Sequence, residues 1–312
     1  MTTRSVIAQR SGPVPLSLDL PAGVITVTAN PARTVAEVTV TARGDDPALH
    51  TAVRNAVLRW DERRGALVVQ VPEVAGNAGQ TVFGNRGVTV VQSFGDVPAG
   101  VTITGSTITG GVVTGGGRVV IDGVTVTGGG IEAAGQIEIT AHVPEGSTVG
   151  ALTRSAPLNA VGEFAEVDFT STSGDLNVGG TGALRAKTVS GDVAAAAVDG
   201  SAVARSVSGD IRLGRADDIR AVSTSGDVTV ADFGGHAKMS TVSGDLTLHA
   251  AEGGIVCART VSGDVTVTAS GAALAEGLTI NATSRSGHVS TPTDTPPTTA
   301  RARRPRRTTR GA

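Results

Sequence analysis

A chain of 312 residues with a formal net charge of −2 is long enough for one large or two ordinary domains, and that charge selects neither nucleic acid nor membrane as a bulk partner. Only 2% of residues are aromatic, with one Trp, five Phe and no Tyr against 43 Gly, which argues against a sandwich or α/β core filled by large side chains. The single cysteine, Cys257, excludes an intramolecular disulfide framework and a Cys-based zinc cluster.

The start, Met1-Thr2-Thr3-Arg4-Ser5-Val6, lacks the apolar run of a signal peptide, and no stretch of about 18 apolar residues exists to span a bilayer. The expected location is the cytoplasm, with peripheral envelope association left open. Residues 1–75 form a strand-rich segment or cap. Leu16-Ser17-Leu18-Asp19-Leu20 alternates, turns at Pro21-Ala22-Gly23 and resumes from Val24 to Ala29, and Val35 to Thr41 alternates again. Period two with β-branched residues is a strand signal. Pro47 to Arg59 is the candidate helix, with Leu49, Val53, Ala56 and Val57 on one face, and Ala66 to Val71 is a strand stopped by Pro72. Residues 76–135 are Gly- and Thr-rich, with short pieces such as Val101-Thr102-Ile103-Thr104, and form either irregular rungs or an insertion.

From residue 136 to 290 the chain repeats. Ser173-Gly174-Asp175, Ser190-Gly191-Asp192, Ser208-Gly209-Asp210, Ser225-Gly226-Asp227, Ser243-Gly244-Asp245 and Ser262-Gly263-Asp264 recur, and Ser286-Gly287-His288 closes the series. The glycines are 17, 18, 17, 18, 19 and 24 residues apart, a period that marks a repeat architecture. Ser155-Ala156-Pro157 occupies the same place as a worn first copy. Residues 291–312 carry four prolines and six arginines without apolar periodicity, so a disordered tail is expected there.

Aligning the copies on glycine gives columns. Two and four residues after it stand Leu176, Val193, Ile211, Val228, Leu246 and Val265, then Val178, Ala195, Leu213, Val230, Leu248 and Val267. Seven and five residues before it the column is again aliphatic, apart from Phe169 and Met239, and three before it every residue is Ser or Thr. Such alternation predicts an all-β solenoid of 17–19-residue rungs, two short strands per rung, with a thin interior and hydroxyls bonded along the stack. In the turns, Gly is expected to take a positive φ and Asp to accept backbone N–H groups. Stacked carboxylates about 4.8 Å apart need backbone bonds, Arg or a cation beside them. A structural turn ladder is the favoured assignment, with calcium as the alternative; one Asp per rung differs from the calcium β-roll, where it recurs every nine residues or so.

Four and six residues before glycine lie Arg185, Lys187, Arg205, Arg220, Lys238 and Arg259, which should line one outer face. Asp199, Asp217, Asp218, Asp232 and Glu252 lie at the opposite turns. A basic face of this kind either holds an anionic polymer, a phospholipid surface or a partner protein, or keeps an exposed sheet soluble.

The repeated Thr-Val-Ser-Gly-Asp-Val (Thr188 to Val193, Thr241 to Leu246, Thr260 to Val265) resembles the bacterial "putative adhesin" family of β-strand-repeat proteins, formerly a domain of unknown function. The resemblance covers residues 137–290 well, 14–72 more loosely and the Gly-rich middle hardly at all. It implies a β-solenoid without known catalysis, with some relatives at the cell surface or in envelope stress responses, and it carries over no functional residues.

No catalytic constellation is visible. His50, His142, His236, His249 and His288 have no metal-ligand spacing. Asp217-Asp218 has no identifiable acid/base partner, the glycines of 110–117 do not sit between a strand and a helix, and Cys257 has no neighbouring His. The Arg-rich tail lacks interleaved aromatics for base stacking, so no specific nucleic acid is expected. The sequence therefore predicts a non-enzymatic scaffold without cofactor or metal. It binds a protein or an anionic polymer or surface through the basic face. End-to-end self-assembly is the alternative, and a polysaccharide-acting enzyme a third reading.

Overall fold

Alternating columns of small aliphatic residues leave each strand one apolar side to bury, and stacking rung on rung is the way a short rung can do so. The computed structural model describes residues 1–74 and 135–292 and, between these, five short strands. The elements before that gap are β1 (Thr2–Ile7), β2 (Pro15–Leu20), β3 (Val24–Asn30), β4 (Glu37–Arg43), α1 (Pro47–Asn55), β5 (Val57–Asp61) and β6 (Ala66–Gln70). The five short strands are β7 (Thr81–Val82), β8 (Thr89–Val90), β9 (Thr102–Ile103), β10 (Arg118–Ile121) and β11 (Val124–Thr127). Then follow β12 (Gln136–Pro144), β13 (Thr148–Thr153), β14 (Leu158–Thr170), β15 (Leu176–Lys187), β16 (Val193–Arg205), β17 (Ile211–Val222), β18 (Val228–Ser240) and β19 (Leu246–Thr260). The last rung holds β20 (Val265–Ala269), α2 (Gly271–Glu276), β21 (Leu278–Ser284) and β22 (Val289–Ser290). The other expectations for 76–135, and that of a disordered tail from residue 293 on, lie outside the described residues.

The chain is a β-solenoid. Strands β14 to β19 pair in parallel, each with the next, over both of their halves. The half leading into a Ser-Gly-Asp turn belongs to a first sheet, the half leaving it to a second, and the interior lies between. The two halves within one strand are joined at a second corner, where the register shifts, as between Thr181 and Leu184 or Val198 and Ser201. That corner absorbs the uneven spacing of the glycines, since pairing on either side of the Ser-Gly-Asp turn never slips. In the last rung the corner holds α2, capped by the Ser270 hydroxyl, which accepts from Ala273 N at 3.0 Å, and ended by Gly277 at a φ of 96°. The helix accounts for the final spacing of 24 residues.

The N-terminal strands interleave with the repeats. β2 pairs in parallel with β13 and β6, and β3 lies between β12 and β14, so residues 15–30 form a rung of the same stack. Antiparallel pairing appears at this end alone among the strands of the solenoid, in β1–β4–β12 and β5–β6. Helix α1 packs on β1, β4 and β12 and buries Leu49, Ala52 and Val53. Asp46 Oδ1 caps it by accepting from Ala48 N at 2.8 Å, with Pro47 in the first turn. The helix stops at Asn55 instead of reaching Arg59. Ala56 is extended, and Val57 opens β5 with its side chain exposed, because pairing with β6 satisfies more backbone groups than another helical turn.

The core is the expected column stack, widened by Phe164, Phe169 and Phe233, all buried. The Ser/Thr column is buried too as far as Thr260, and among the described residues no buried side-chain N or O lacks a partner. One carboxylate pays part of the desolvation of this packing. Asp19, half-buried on β2 between Gln70 and Leu152, has its pKa raised by burial. Below about pH 3, well under the usual Asp value near 3.9, both folded and unfolded states hold the proton and the site costs nothing. As pH rises from the unfolded value through the raised folded value, the folded state must come to carry a charge that burial disfavours, and stability falls. Asp19→Asn should therefore raise the unfolding midpoint above wild type at pH 7 and lose that advantage near pH 3; an equal difference at both pH values would contradict the assignment.

Candidate functional site

The Ser-Gly-Asp corners stack one on another. A Cβ added to Gly191, Gly209, Gly226, Gly244, Gly263 or Gly287 would lie 2.0–2.1 Å from the carbonyl oxygen of the preceding rung's glycine, and one on Gly174 2.2 Å from that of Ala156. None of these glycines has a φ in the left-handed region. The expected positive φ is therefore corrected: glycine is required because two backbones approach too closely for any side chain.

Each corner ties itself to its neighbours. The hydroxyl three residues before glycine accepts from that glycine's N–H, at 2.7 Å from Ser171 to Gly174 and at 2.8–3.2 Å in the later rungs. In later rungs it also donates to the previous glycine carbonyl, as Thr260 does to Gly244 at 3.2 Å and Ser284 to Gly263 at 2.7 Å. Oδ1 of Asp175, Asp192, Asp210, Asp227, Asp245 and Asp264 accepts the backbone N–H of the next rung's Asp, or of His288 after Asp264, at 2.7–2.9 Å. Arg212 bridges Asp192 (3.3 Å) and Asp210 (2.6 Å). The carboxylates run along the stack, and among the described residues no three His, Cys, Asp or Glu side chains converge as a metal-binding group.

The outer face of the first sheet has four outward columns; the one eight residues before glycine, next to the second corner, carries Glu166, Ala183, Ser201, Asp218, His236 and Ile255. Six residues before glycine run Asp168, Arg185, Val203, Arg220, Lys238 and Cys257 in register; four before run Thr170, Lys187, Arg205, Val222, Ser240 and Arg259. Two before, by the same alternation, stand Thr172, Val189, Val207, Thr224, Val242 and Val261. The structure thus brings all six named cations, Arg185, Lys187, Arg205, Arg220, Lys238 and Arg259, onto one face, each exposed. Of these six, only Arg185 lies within 4.0 Å of a carboxylate among the described residues, at 3.9 Å from Asp168. The acidic residues of the opposite corner hold Arg215, whose pKa is raised by its hydrogen bond to Asp199 and by the charges of Asp199, Asp217 and Asp232.

The outer face of the second sheet is different. It presents Asn159, Asn177, Ala194, Arg212 and Thr229 in one column and Val161, Gly179, Ala196, Gly214 and Ala231 in the next, around a shallow hollow of about 540 Å³. Sequence reasoning missed this contrast, and it also missed Arg212 as a bridge between two corner carboxylates. The bridge was visible as an Arg two residues after an Asp in one copy alone. His236 stands in register beside Asp218, a neighbour that the 18-residue separation conceals. The other histidines are apart, with His50 at 2.9 Å from the Thr2 hydroxyl and His249 at 2.9 Å from that of Thr268. No helix among the described residues is long and apolar enough to cross a membrane.

Stacked glycine corners, an aspartate ladder and a charged outer sheet define a repeat β-solenoid. The family model of Toastrack DUF4097 matches residues 101–231 and 214–310, and the chain belongs to this family. The match bears out the resemblance seen in the repeats, and it starts within the Gly-rich middle. Crystal structures of a "putative adhesin" and of a "putative lipid binding protein" from Parabacteroides distasonis are 7% and 8% identical, each covering 93% of this chain and 97% of theirs, with TM-scores of 0.35 and 0.34. A "putative adhesin" from Parabacteroides merdae is 8% identical over 93% of this chain and 96% of its own, with a TM-score of 0.32. Likeness at these scores carries no argument about ligand or role. No curated protein matches the chain.

The corner geometry predicts a sharp difference between glycines. Gly209→Ala should cost at least about 2–3 kcal/mol, since the obstructing atom is backbone, whereas Gly271→Ala, with nothing within 4 Å of its Cβ, should be neutral or stabilising. Asp227→Ala should cost about 1–2 kcal/mol by leaving Asp245 N–H without its acceptor, and Asp227→Asn much less. Denaturant midpoints measure all four, and equal effects of the two glycine substitutions would refute the close-approach account.

Proposed function

We propose that this chain is a non-catalytic interaction scaffold that engages an anionic partner through the outer face of its first sheet, in association with the cell envelope. The supporting observation is the cation-rich face itself: six exposed Lys and Arg side chains in two adjacent columns, with one carboxylate among them. Rungs about 4.8 Å apart place each of these cations within roughly a Debye length, about 8 Å at physiological salt, of its nearest neighbour. Solubility alone is served equally well by mixed signs, which is how the opposite corner is built around Arg215. The envelope link rests on the family resemblance of the repeats. For a polysaccharide-acting enzyme, the hollow on the second sheet would need paired carboxylates, and its lining residues include none.

Neutralising Arg185, Lys187, Arg205 and Arg220 to Gln should lower the salt concentration that elutes the protein from a phosphate-bearing cation exchanger. Neutralising the exposed Arg43, Arg54, Arg63 and Arg64 makes the same change of net charge away from the face and should have little effect. Both variants should keep the wild-type unfolding midpoint, because exposed charges contribute little to stability. Equal elution shifts for the two would sink the assignment of the face.

A second reading, end-to-end association, is favoured by the last rung. Leu278, Ile280 and Ala282 of β21 are only partly buried, and among the described residues the far side of β21 pairs with nothing. An open edge of this kind accepts another strand. Sedimentation velocity over a hundredfold or so concentration range should show a dimer whose population falls with Ile280→Lys; a monomer throughout would dismiss it.

A further inference from the structure

We infer that the anionic partner is a phospholipid bilayer surface, with the cations of the first sheet at the headgroups and its outer valines in the interface; this rests on the assignment of the basic face to binding. The carrying observation is that the cations do not stand alone. Val189, Val207, Val222, Val242 and Val261 lie on the same outer face, with exposures of 45%, 45%, 37%, 46% and 42%. They occupy the column beside the cations, and Val222 sits within it, in register with Arg205 and Ser240.

The second sheet is the internal comparison. It is built from the same rungs with the same period, so strand propensity acts on both outer faces alike. Yet along β14 to β18, in columns matching those of the first sheet, it exposes Asn, Ala, Gly and Thr, with Val161 the one exposed large aliphatic side chain there, and the one cation there, Arg212, is engaged by Asp192 and Asp210. Cations and exposed aliphatics therefore coincide on one side of the solenoid. A soluble polyanion uses the cations and gains nothing from the valines. A bilayer interface uses both, through attraction of each Lys or Arg to anionic headgroups and burial of apolar side chains below them.

The acidic residues do not cancel this arrangement. In the three columns nearest the glycine corner Asp168 is the one carboxylate and faces Arg185, while Glu166 and Asp218 stand in the fourth column, at the edge beside the second corner. The Asp ladder lies past the glycine corner, with Oδ1 of each turned to the next rung's backbone N–H. From Arg185 to Arg259 the cations span five strands, about 19 Å at the usual strand spacing. This is a footprint of several headgroups, and several weak contacts must act together because one cation contributes only about fivefold in partitioning.

The column two residues before glycine already contains Thr172 and Thr224, so Thr there is compatible with the rung. The variant Val189→Thr, Val207→Thr, Val242→Thr and Val261→Thr keeps β-branching and shape while making the column polar. Flotation of the full chain with phosphatidylcholine vesicles containing about a third phosphatidylglycerol, at physiological salt, should show binding at least tenfold stronger than with phosphatidylcholine alone. The threonine variant should bind these vesicles at least threefold more weakly while its affinity for dextran sulfate is unchanged. The Arg185, Lys187, Arg205 and Arg220 to Gln variant should lose both, even though it retains the Arg-rich C-terminal tail. Undiminished vesicle binding by either variant overturns the inference. Binding of dextran sulfate through the cations without binding of anionic vesicles also overturns it, while leaving the basic face as an interaction site; wild-type protein that binds neither removes both.

Discussion

At every Ser-Gly-Asp corner the carbonyl oxygen of one glycine fills the space in which the next rung's glycine would place a Cβ. This contact sets the rest of the structure. With no side chain between them, the two backbones come close enough for the Asp carboxylate of one rung to take the N–H of the next, and for the buried Ser or Thr to reach the previous carbonyl. Those bonds fix the register at the corner, and a fixed register keeps every aliphatic column over itself. The thin interior of Val, Leu, Ile and Ala depends on that alignment, since a slip of one residue would turn each apolar column to solvent.

Irregularity is consequently confined to the other corner. Rungs of 17, 18 and 19 residues pair identically across the glycine corner and differ only where β14 to β19 bend, and the longest insertion becomes α2. At the N-terminal end the same stack continues without the motif. β2 and β3 turn through Gly23, whose Cβ would lie 2.1 Å from Ile137 O, and Ser155-Ala156-Pro157 makes the next corner with Ala156 under Gly174. Only the uppermost side of each contact must lack a Cβ, which explains how Ala156 can hold a glycine position at the start of the ladder.

The repeat was legible in the sequence because one side-chain pattern recurs at one spacing, and the in-register columns of the first sheet follow from it. Three things were not legible. The role of glycine was misassigned because a turn residue and a close-packed residue look alike without coordinates. The placement of β3 between β12 and β14 joins segments more than a hundred residues apart, and no local pattern records it. The pairing of Arg212 with two carboxylates depends on which side of the corner each Asp faces. The six cations, by contrast, fell on one face because parity alone decides inside from outside.

That separation of roles has a consequence for where function can reside. Positions pointing inward and the corner triplet are constrained by contacts of a few ångströms, so their chemistry is committed to the stack. Outward positions are constrained only by exposure, and the same rung can carry Arg185 or Val203, Val189 or Thr224, without altering a backbone bond. A charge or an apolar side chain repeated there is copied at the strand spacing into a column, and neighbouring columns into a surface. The two outer faces diverge in this way, one into small and polar residues and the other into cations bordered by valines, although a single backbone repeat generates both. The asymmetry is therefore a property of the outward side chains alone, and it can be changed face by face while the glycine corners hold the fold.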